Sequence, residues 1–479
     1  MRHLLGFAFV VALTTAQAAG ERVTTLKEQQ EVAVTIYNEN LALVKDTRKL
    51  RLDRGEVALA WRDVSAKIRP ETALLRNLAN PKNLSLIEQN FDFDLLTPQK
   101  LLEKYVGDKV TVIKTHPATG VETREDATVL ATNGGVVLKY ADRIETGVPG
   151  RIAYASVPAN LRDRPTLVIR LQSAQAREDA LELSYLTGGL AWKADYVAEL
   201  SKNDDKLDLN GWVTLTNTSG ASYLNAKLQL VAGDVNLVRD EMAGALQEFR
   251  AQKAVPMTAP KMTEEGLFEY HLYTLDRPTT IAENQTKQVA LLSAAGVPVS
   301  KEFLLRGADY YYRSSYGDIG QKMKVGVFVE FENKGGSDRD GSLGIPLPKG
   351  VVRVYKKDSA GNAQFVGEDR IDHTPKNEKV RLKLGEAFDV TADKKQTSFD
   401  KISGTSRYNY IYDAAFEIVL KNAKDEAVIV KVMEPIPGDW QMLAESAPHR
   451  KEASNTAVWR VSVPAGGKTV LSYKVRVRY

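Results

Sequence analysis

Six consecutive residues carry the densest chemistry in the chain: Glu368, Asp369, Arg370, Ile371, Asp372 and His373. Carboxylates and an imidazole together can hold a divalent cation or move a proton. If the run is a strand, successive side chains point to opposite faces. Asp369 and His373 then share a face with Ile371, while Glu368, Arg370 and Asp372 take the other. One face offers a single Asp–His pair, the candidate metal site. The competing reading is an exposed strand end whose aspartate caps the turn at Thr374-Pro375.

A second cluster is aromatic. Tyr310, Tyr311, Tyr312 and Tyr316 lie between Arg306 and Asp318. Tyrosines bring a large contact area at low entropy cost, so the cluster is a candidate for stacking on sugar rings or anchoring a partner. The competing reading is a strand with its tyrosines packed on the sheet. Trp212 is the odd tryptophan. It falls on the polar face of its predicted strand, beside Thr214, and is the remaining candidate binding residue.

The inventory for covalent catalysis is thin. There is no cysteine, which removes thiolate nucleophiles and cysteine metal sites. Beyond the first eighteen residues only His116, His271, His373 and His449 offer an imidazole. Neither Gly-x-Ser-x-Gly nor His-Glu-x-x-His is present, and no phosphate loop is found. No catalytic residue and no cofactor is expected.

The elements that must position these residues are strands. In 181–236, Leu190, Trp192, Ala194, Tyr196, Ala198 and Leu200 alternate with Lys193, Asp195 and Glu199. Leu207, Leu209, Val213 and Leu215 repeat the pattern. A sheet with one dry face needs a second layer, so a β-sandwich is the economical solution. A strand also ends in asparagine before a turn at Asn217, Asn333 and Asn422, as hairpins in stacked immunoglobulin-like units would produce.

The runs SYLTGGLAWKADY, GWVTLTN and KLQLVAGDVN in this stretch resemble the bacterial DUF4139 family, a domain of unknown function. LFEYHLYTLDRPTTI from Leu267, GIPLPKGVVRVYKKD from Gly344 and GEDRIDHTPK from Gly367 extend the resemblance toward the C-terminus. It implies no reaction, substrate or catalytic residue.

The remaining segments read as follows. Residues 1–18 have the pattern of a cleavable secretory leader: Arg2 and His3, an apolar run from Leu4 to Leu13, then Ala16-Gln17-Ala18. A short N-terminal β domain spans 19–96. A helix opened by Thr97-Pro98 and five short strands make a small SH3/Sm-like barrel over 97–160. A central sandwich follows over 161–239. Residues 240–266 form a solvated insertion in which Met242, Leu246 and Phe249 could make a short stripe. A further β region covers 267–390 and an immunoglobulin-like unit 391–479. The last strand, with Lys474, Arg476 and Arg478 opposite its apolar face and Tyr479 at its end, also has the form of an outer-membrane barrel strand. Most strands here are too short to span a bilayer.

The expected fold is all-β: a multidomain array of antiparallel, immunoglobulin-like β-sandwiches with a small barrel near the N-terminus and little helix. With 65 basic against 61 acidic residues the net charge is +4, too little to argue for nucleic acid. The expected protein is periplasmic or secreted, with no integral membrane segment once the leader is removed. It is a non-enzymatic binding or scaffold protein of the cell envelope whose partner is an envelope protein or glycan. The alternative is a metal-dependent enzyme or binder acting on envelope polymers, centred on Asp369 and His373.

Overall fold

A computed structural model describes residues 21–38, 40–92, 94–158, 161–233, 235–236, 262–335, 343–402 and 407–479. The leader and most of the expected insertion lie outside the described residues. Strand accounts for 65% of the structure and helix for 4%, so the chain is all-β. It divides into two compact units. One contains residues up to 191 with 216–230 and 277–286; the other contains 192–215, 231–276 and 287–479.

The first unit is a two-layer sandwich. One layer runs in the order Arg22–Thr24, Gly55–Arg62, Thr166–Ser173, Leu84–Asp92. In the other, Leu41–Leu52 lies between Gln29–Tyr37 and Arg177–Thr187, with Leu74–Asn77 beyond. Alternation puts Val32, Val34, Ile36, Leu59, Trp61, Ile169, Leu181 and Leu183 in the dry interlayer. Thr166–Ser173 pairs along its whole length with both Gly55–Arg62 and Leu84–Asp92, and Arg177–Thr187 with Leu41–Leu52. Strands that the sequence places at the start of a central sandwich therefore complete the N-terminal one. Alternation marks a strand's dry face but not its partner, and these partners lie 74 or more residues apart in sequence.

Residues 98–153 interrupt this sandwich between two of its neighbouring strands. Thr97 caps the helix Pro98–Lys104 by accepting from the Lys100 amide. The sheet beside it runs Ile144–Thr146, Val137–Lys139, Glu122–Ala131, Lys109–Thr115, Arg151–Ala153, around Tyr105, Val110, Val112, Val129 and Leu138. The sequence places strands at 109–115, 122–131, 135–140, 143–146 and 152–157; the five strands overlap these, with the last ending at Ala153, but the expected barrel does not close. Both edge strands have only three residues, and no ladder joins them among the described residues.

In the second unit one long sheet forms two successive structures. The first is a roll. Its order is Ala363–Ile371, Gly350–Lys357, residues 192–200, residues 206–215, residues 287–306, Asp318–Glu332, Lys379–Ile402. Trp192, Tyr196, Ala198, Val352, Val354, Val329, Phe331, Val380 and Leu382 are buried. The two ends of the roll meet with no ladder between them among the described residues. Gly367, at φ +152°, lies against the Leu384 carbonyl, and a Cβ there would collide with it. We expect Gly367→Ala to open this seam and destabilise the unit by about 2 kcal/mol or more, read as a lower denaturation midpoint at unchanged m-value.

The second structure is an immunoglobulin-like sandwich. The far half of Lys379–Ile402 pairs with Ile411–Asn422, followed by Lys468–Arg478 and Asp439–Glu445. The facing layer is built on Val428–Pro435 and Thr456–Val463. Leu471, Tyr473, Val475 and Val477 of the last strand are buried in its core with Phe416, Val430 and Trp459. On the opposite face Arg476 makes a bidentate pair with Asp413, at 2.7 and 2.8 Å.

The three asparagines noted in the sequence share one device. Each is buried, donates its amide N–H groups to carbonyls of neighbouring loops, and accepts an amide N–H on its oxygen. Asn217 holds the Ala221 and Ile281 carbonyls; Asn333 those of Ile345, Thr374 and Pro375; Asn422 those of Glu426, Val463 and Pro464.

Candidate functional site

The Asp–His pair takes part in backbone bonding. Asp369 sits near the end of Ala363–Ile371, opposite Val352. Its carboxylate accepts the Arg370 amide at 2.8 Å and the Lys383 amide at 2.7 Å. The second bond crosses the seam of the roll, so Asp369 staples the strand next to Gly367. Nδ1 of His373 accepts the Lys349 amide at 3.2 Å. No group of three or more His, Asp or Glu side chains placed to hold a metal occurs among the described residues. Two other histidines each pair with a carboxylate a few residues away: His271 with Glu264 at 2.8 Å and His449 with Glu445 at 2.9 Å.

Tyr310, Tyr311 and Tyr312 lie on a short 3-10 turn, Asp309–Tyr312, and Tyr316 in the loop after it, rather than on a strand. Tyr311 and Tyr312 point into the sandwich core, while Tyr310 and Tyr316 are half exposed, their rings 5.8 Å apart edge to face. Burial and the adjacent Tyr310 push the Tyr311 hydroxyl up to about 12. Gln396 fixes the turn by donating to the Tyr311 and Ser314 carbonyls and accepting from the Tyr316 amide. The cluster therefore splits into a core pair and a surface pair.

Trp212 is half-buried on the outer face of the roll, in line with Thr214. That face carries a polar row. Asp195, 8% exposed, accepts from Thr214 at 2.8 Å and from Arg353 at 3.1 Å. Arg353 reaches Glu368 at 3.2 Å, and Gln288 donates to Thr214. The sequence marks Asp195 as polar-face but gives no sign that it is nearly buried.

A concavity lies at one mouth of the roll, a cavity of about 200 Å³. Leu200, Val327, Val329, Val366 and Leu384 form its walls. Lys301, Lys356 and Asp204 stand at its rim, and both ammonium groups bond the Asp204 carboxylate, Lys301 at 2.8 Å. Lys356 continues the inward row of Val352 and Val354, which is why a charge reaches the mouth of an apolar interior. Asp204 occupies a left-handed turn position, φ +58°, which aspartate tolerates better than most residues. None of these three is singled out by sequence. Asp204 reads as a turn residue, and its lysines lie 97 and 152 positions away.

Partial burial pushes the Asp204 carboxyl up, but hydrogen bonds from Lys301 and Lys356 outweigh it and hold the group below its ordinary value of 3.8. A depressed carboxyl contributes stability above its unfolded value and loses it as pH falls through the folded one. We therefore expect Asp204→Asn to melt lower than the parent at pH 7. The gap should shrink as pH drops below about 4, as thermal melts across that range would show.

No helix among the described residues is long and apolar enough to cross a membrane. No curated protein matches the chain. A family model described as a domain of unknown function, DUF4139, matches residues 181–479. That span covers the roll, the C-terminal sandwich and the seam stapled by Asp369, and it is more than half of the sequence, so the chain belongs to the DUF4139 family.

Proposed function

We propose that the protein is an exported, non-enzymatic binding or scaffold protein of the cell envelope, with the mouth of the roll as its binding site. The mouth itself carries this reading. Concave sites with apolar walls and a few convergent polar groups are where ligands are held. Here the walls are aliphatic, and the polar lining comprises the ammonium groups of Lys301 and Lys356 with the carboxylates of Asp204 and Glu386, the second of which is paired with Lys324. An ammonium has three N–H donors, so each lysine keeps donors beyond the one given to Asp204. A compact aliphatic group next to a carboxylate, as on an envelope protein, suits both. The leader pattern at 1–18 supports export. The engagement of Asp369 with backbone amides supports a role in holding the fold rather than in chemistry.

The test is a pull-down from a periplasmic and envelope extract with residues 19–479 as bait, beside the Lys301→Met/Lys356→Met variant. The parent should retain one envelope protein or glycan that the variant loses. Equal retention by both would remove the mouth from the account. The metal reading has its own check. A rise in melting temperature with Zn2+ or Mn2+, absent in Asp369→Ala/His373→Ala, would favour it. No rise would leave Asp369 as a strand staple.

A further inference from the structure

The C-terminal sandwich encloses an amine and a carboxyl group side by side. Lys394 lies on Lys379–Ile402 in one layer and Glu434 on Val428–Pro435 in the other. Their side chains are 1% and 0% exposed, and Nζ is 2.6 Å from Oε1. The Tyr312 hydroxyl donates to Oε2 at 2.9 Å and shares a 2.9 Å hydrogen bond with the Tyr473 hydroxyl. The Lys394 amine sits over the Tyr311 ring at 4.6 Å and the Phe416 ring at 5.1 Å. Gly307 closes the remaining side, where a Cβ would collide with the Glu434 carboxyl.

Two charges taken fully out of water cost several kcal/mol each, and mutual attraction often fails to recover it. The neutral pair, amine beside carboxylic acid, removes that cost by one proton transfer along the existing hydrogen bond. Burial acts in the same direction on Lys394, pulling its pKa below the ordinary value. It also holds the Tyr312 and Tyr473 hydroxyls far above theirs, so both stay protonated as donors. Nucleophile and electrophile are then fixed in contact, dry, and with an O–H donor aimed at the carboxyl. Such fixed proximity is worth effective concentrations of about 10⁵ M and above.

We propose that Lys394 and Glu434 are joined by an intramolecular isopeptide bond formed after the sandwich folds. The lone pair of neutral Nζ attacks the Glu434 Cδ, and the carbonyl electron pair moves onto Oε2, where Tyr312 donates its hydrogen bond. A proton from nitrogen passes to Oε1. The electron pair on Oε2 returns to re-form the carbonyl as the Cδ–Oε1 bond breaks, and Oε1 leaves as water with both acidic protons. The product is a neutral secondary amide, and no oxidant, reductant or activating group takes part. The amide leaves no ionisable pair between the layers and links them covalently in a chain that has no cysteine to do so. It also closes a loop from 394 to 434, which lowers the entropy of the unfolded chain.

The test is mass spectrometry of the full chain, denatured, with a tryptic map. We expect a mass lower by one water, about 18 Da, than the same polypeptide unlinked, and one branched peptide containing both Lys394 and Glu434. Lys394→Arg and Glu434→Ala should each give the unlinked mass and the two separate peptides. Finding the two separate peptides in the parent protein, with Lys394 open to an amine-reactive label after denaturation, would overturn the proposal. The readout is made on the parent protein, so it holds whether or not the variants fold.

Discussion

Replacing Asn333 with alanine should cost the second unit about 3 kcal/mol or more of unfolding free energy. The residue is fully buried at the end of Asp318–Glu332. Its amide nitrogen donates to the Ile345 carbonyl at 2.8 Å and the Pro375 carbonyl at 2.9 Å, with Thr374 at 3.4 Å. Its oxygen accepts the Gly344 amide at 3.0 Å. Alanine leaves all of these without a side-chain partner, and each unmade bond at a buried group costs about 1–3 kcal/mol. Asn333→Asp keeps the shape but turns an oxygen toward the carbonyls, so it should be no better. Urea titration of both variants measures the loss. A change under about 1 kcal/mol would show that water replaces the side chain.

The first unit should fail as sharply at Asp46. Asp46 and Arg48 lie two apart on Leu41–Leu52 and so share its inner face. Asp46 Oδ2 accepts from Arg48 Nε at 3.0 Å, Arg48 Nη2 at 2.7 Å and Trp61 Nε1 at 2.8 Å. Oδ1 accepts from Gln29 at 2.8 Å. The Arg48 guanidinium also stands 4.6 Å over the Trp61 ring, which comes from the opposite layer. Arg48 is 0% exposed, so Asp46→Ala strands a cation in the core, at a cost of roughly 3–5 kcal/mol. Asp46→Ala/Arg48→Met should recover most of that loss, because an apolar pair of similar volume removes the uncompensated charge. A double-mutant cycle by chemical denaturation separates the two outcomes.

The strands were legible because alternation is local. Trp192, Tyr196 and Leu200 face inward as their spacing requires, and Thr97-Pro98 starts a helix by cap chemistry that lies within four residues. Partner choice was not legible. That Arg177–Thr187 joins Leu41–Leu52, or that the roll brings Gly367 to Leu384, depends on tertiary packing with no local mark. The candidate residues divide the same way. Asp369 bonds backbone, as a strand-end aspartate does, but across a seam that the sequence does not show. Tyr311 and Tyr312 pack as aromatic residues do, yet on a 3-10 turn. The mouth is assembled from Asp204, Lys301 and Lys356, whose separations make it invisible before folding. The asparagine recurrence shows in the sequence as a pattern, and its reason shows only in the bonds.

Binding at the mouth of the roll is the work proposed for this chain. Its most direct test is a calorimetric titration of residues 19–479 with 4-methylpentanoate, a carboxylate on a compact branched body. We expect saturable one-to-one binding, weakened tenfold or more in Lys301→Met/Lys356→Met and for the neutral amide of the same acid, a loss of about 1.4 kcal/mol or more. No saturable binding, or equal binding by parent and variant, would contradict it.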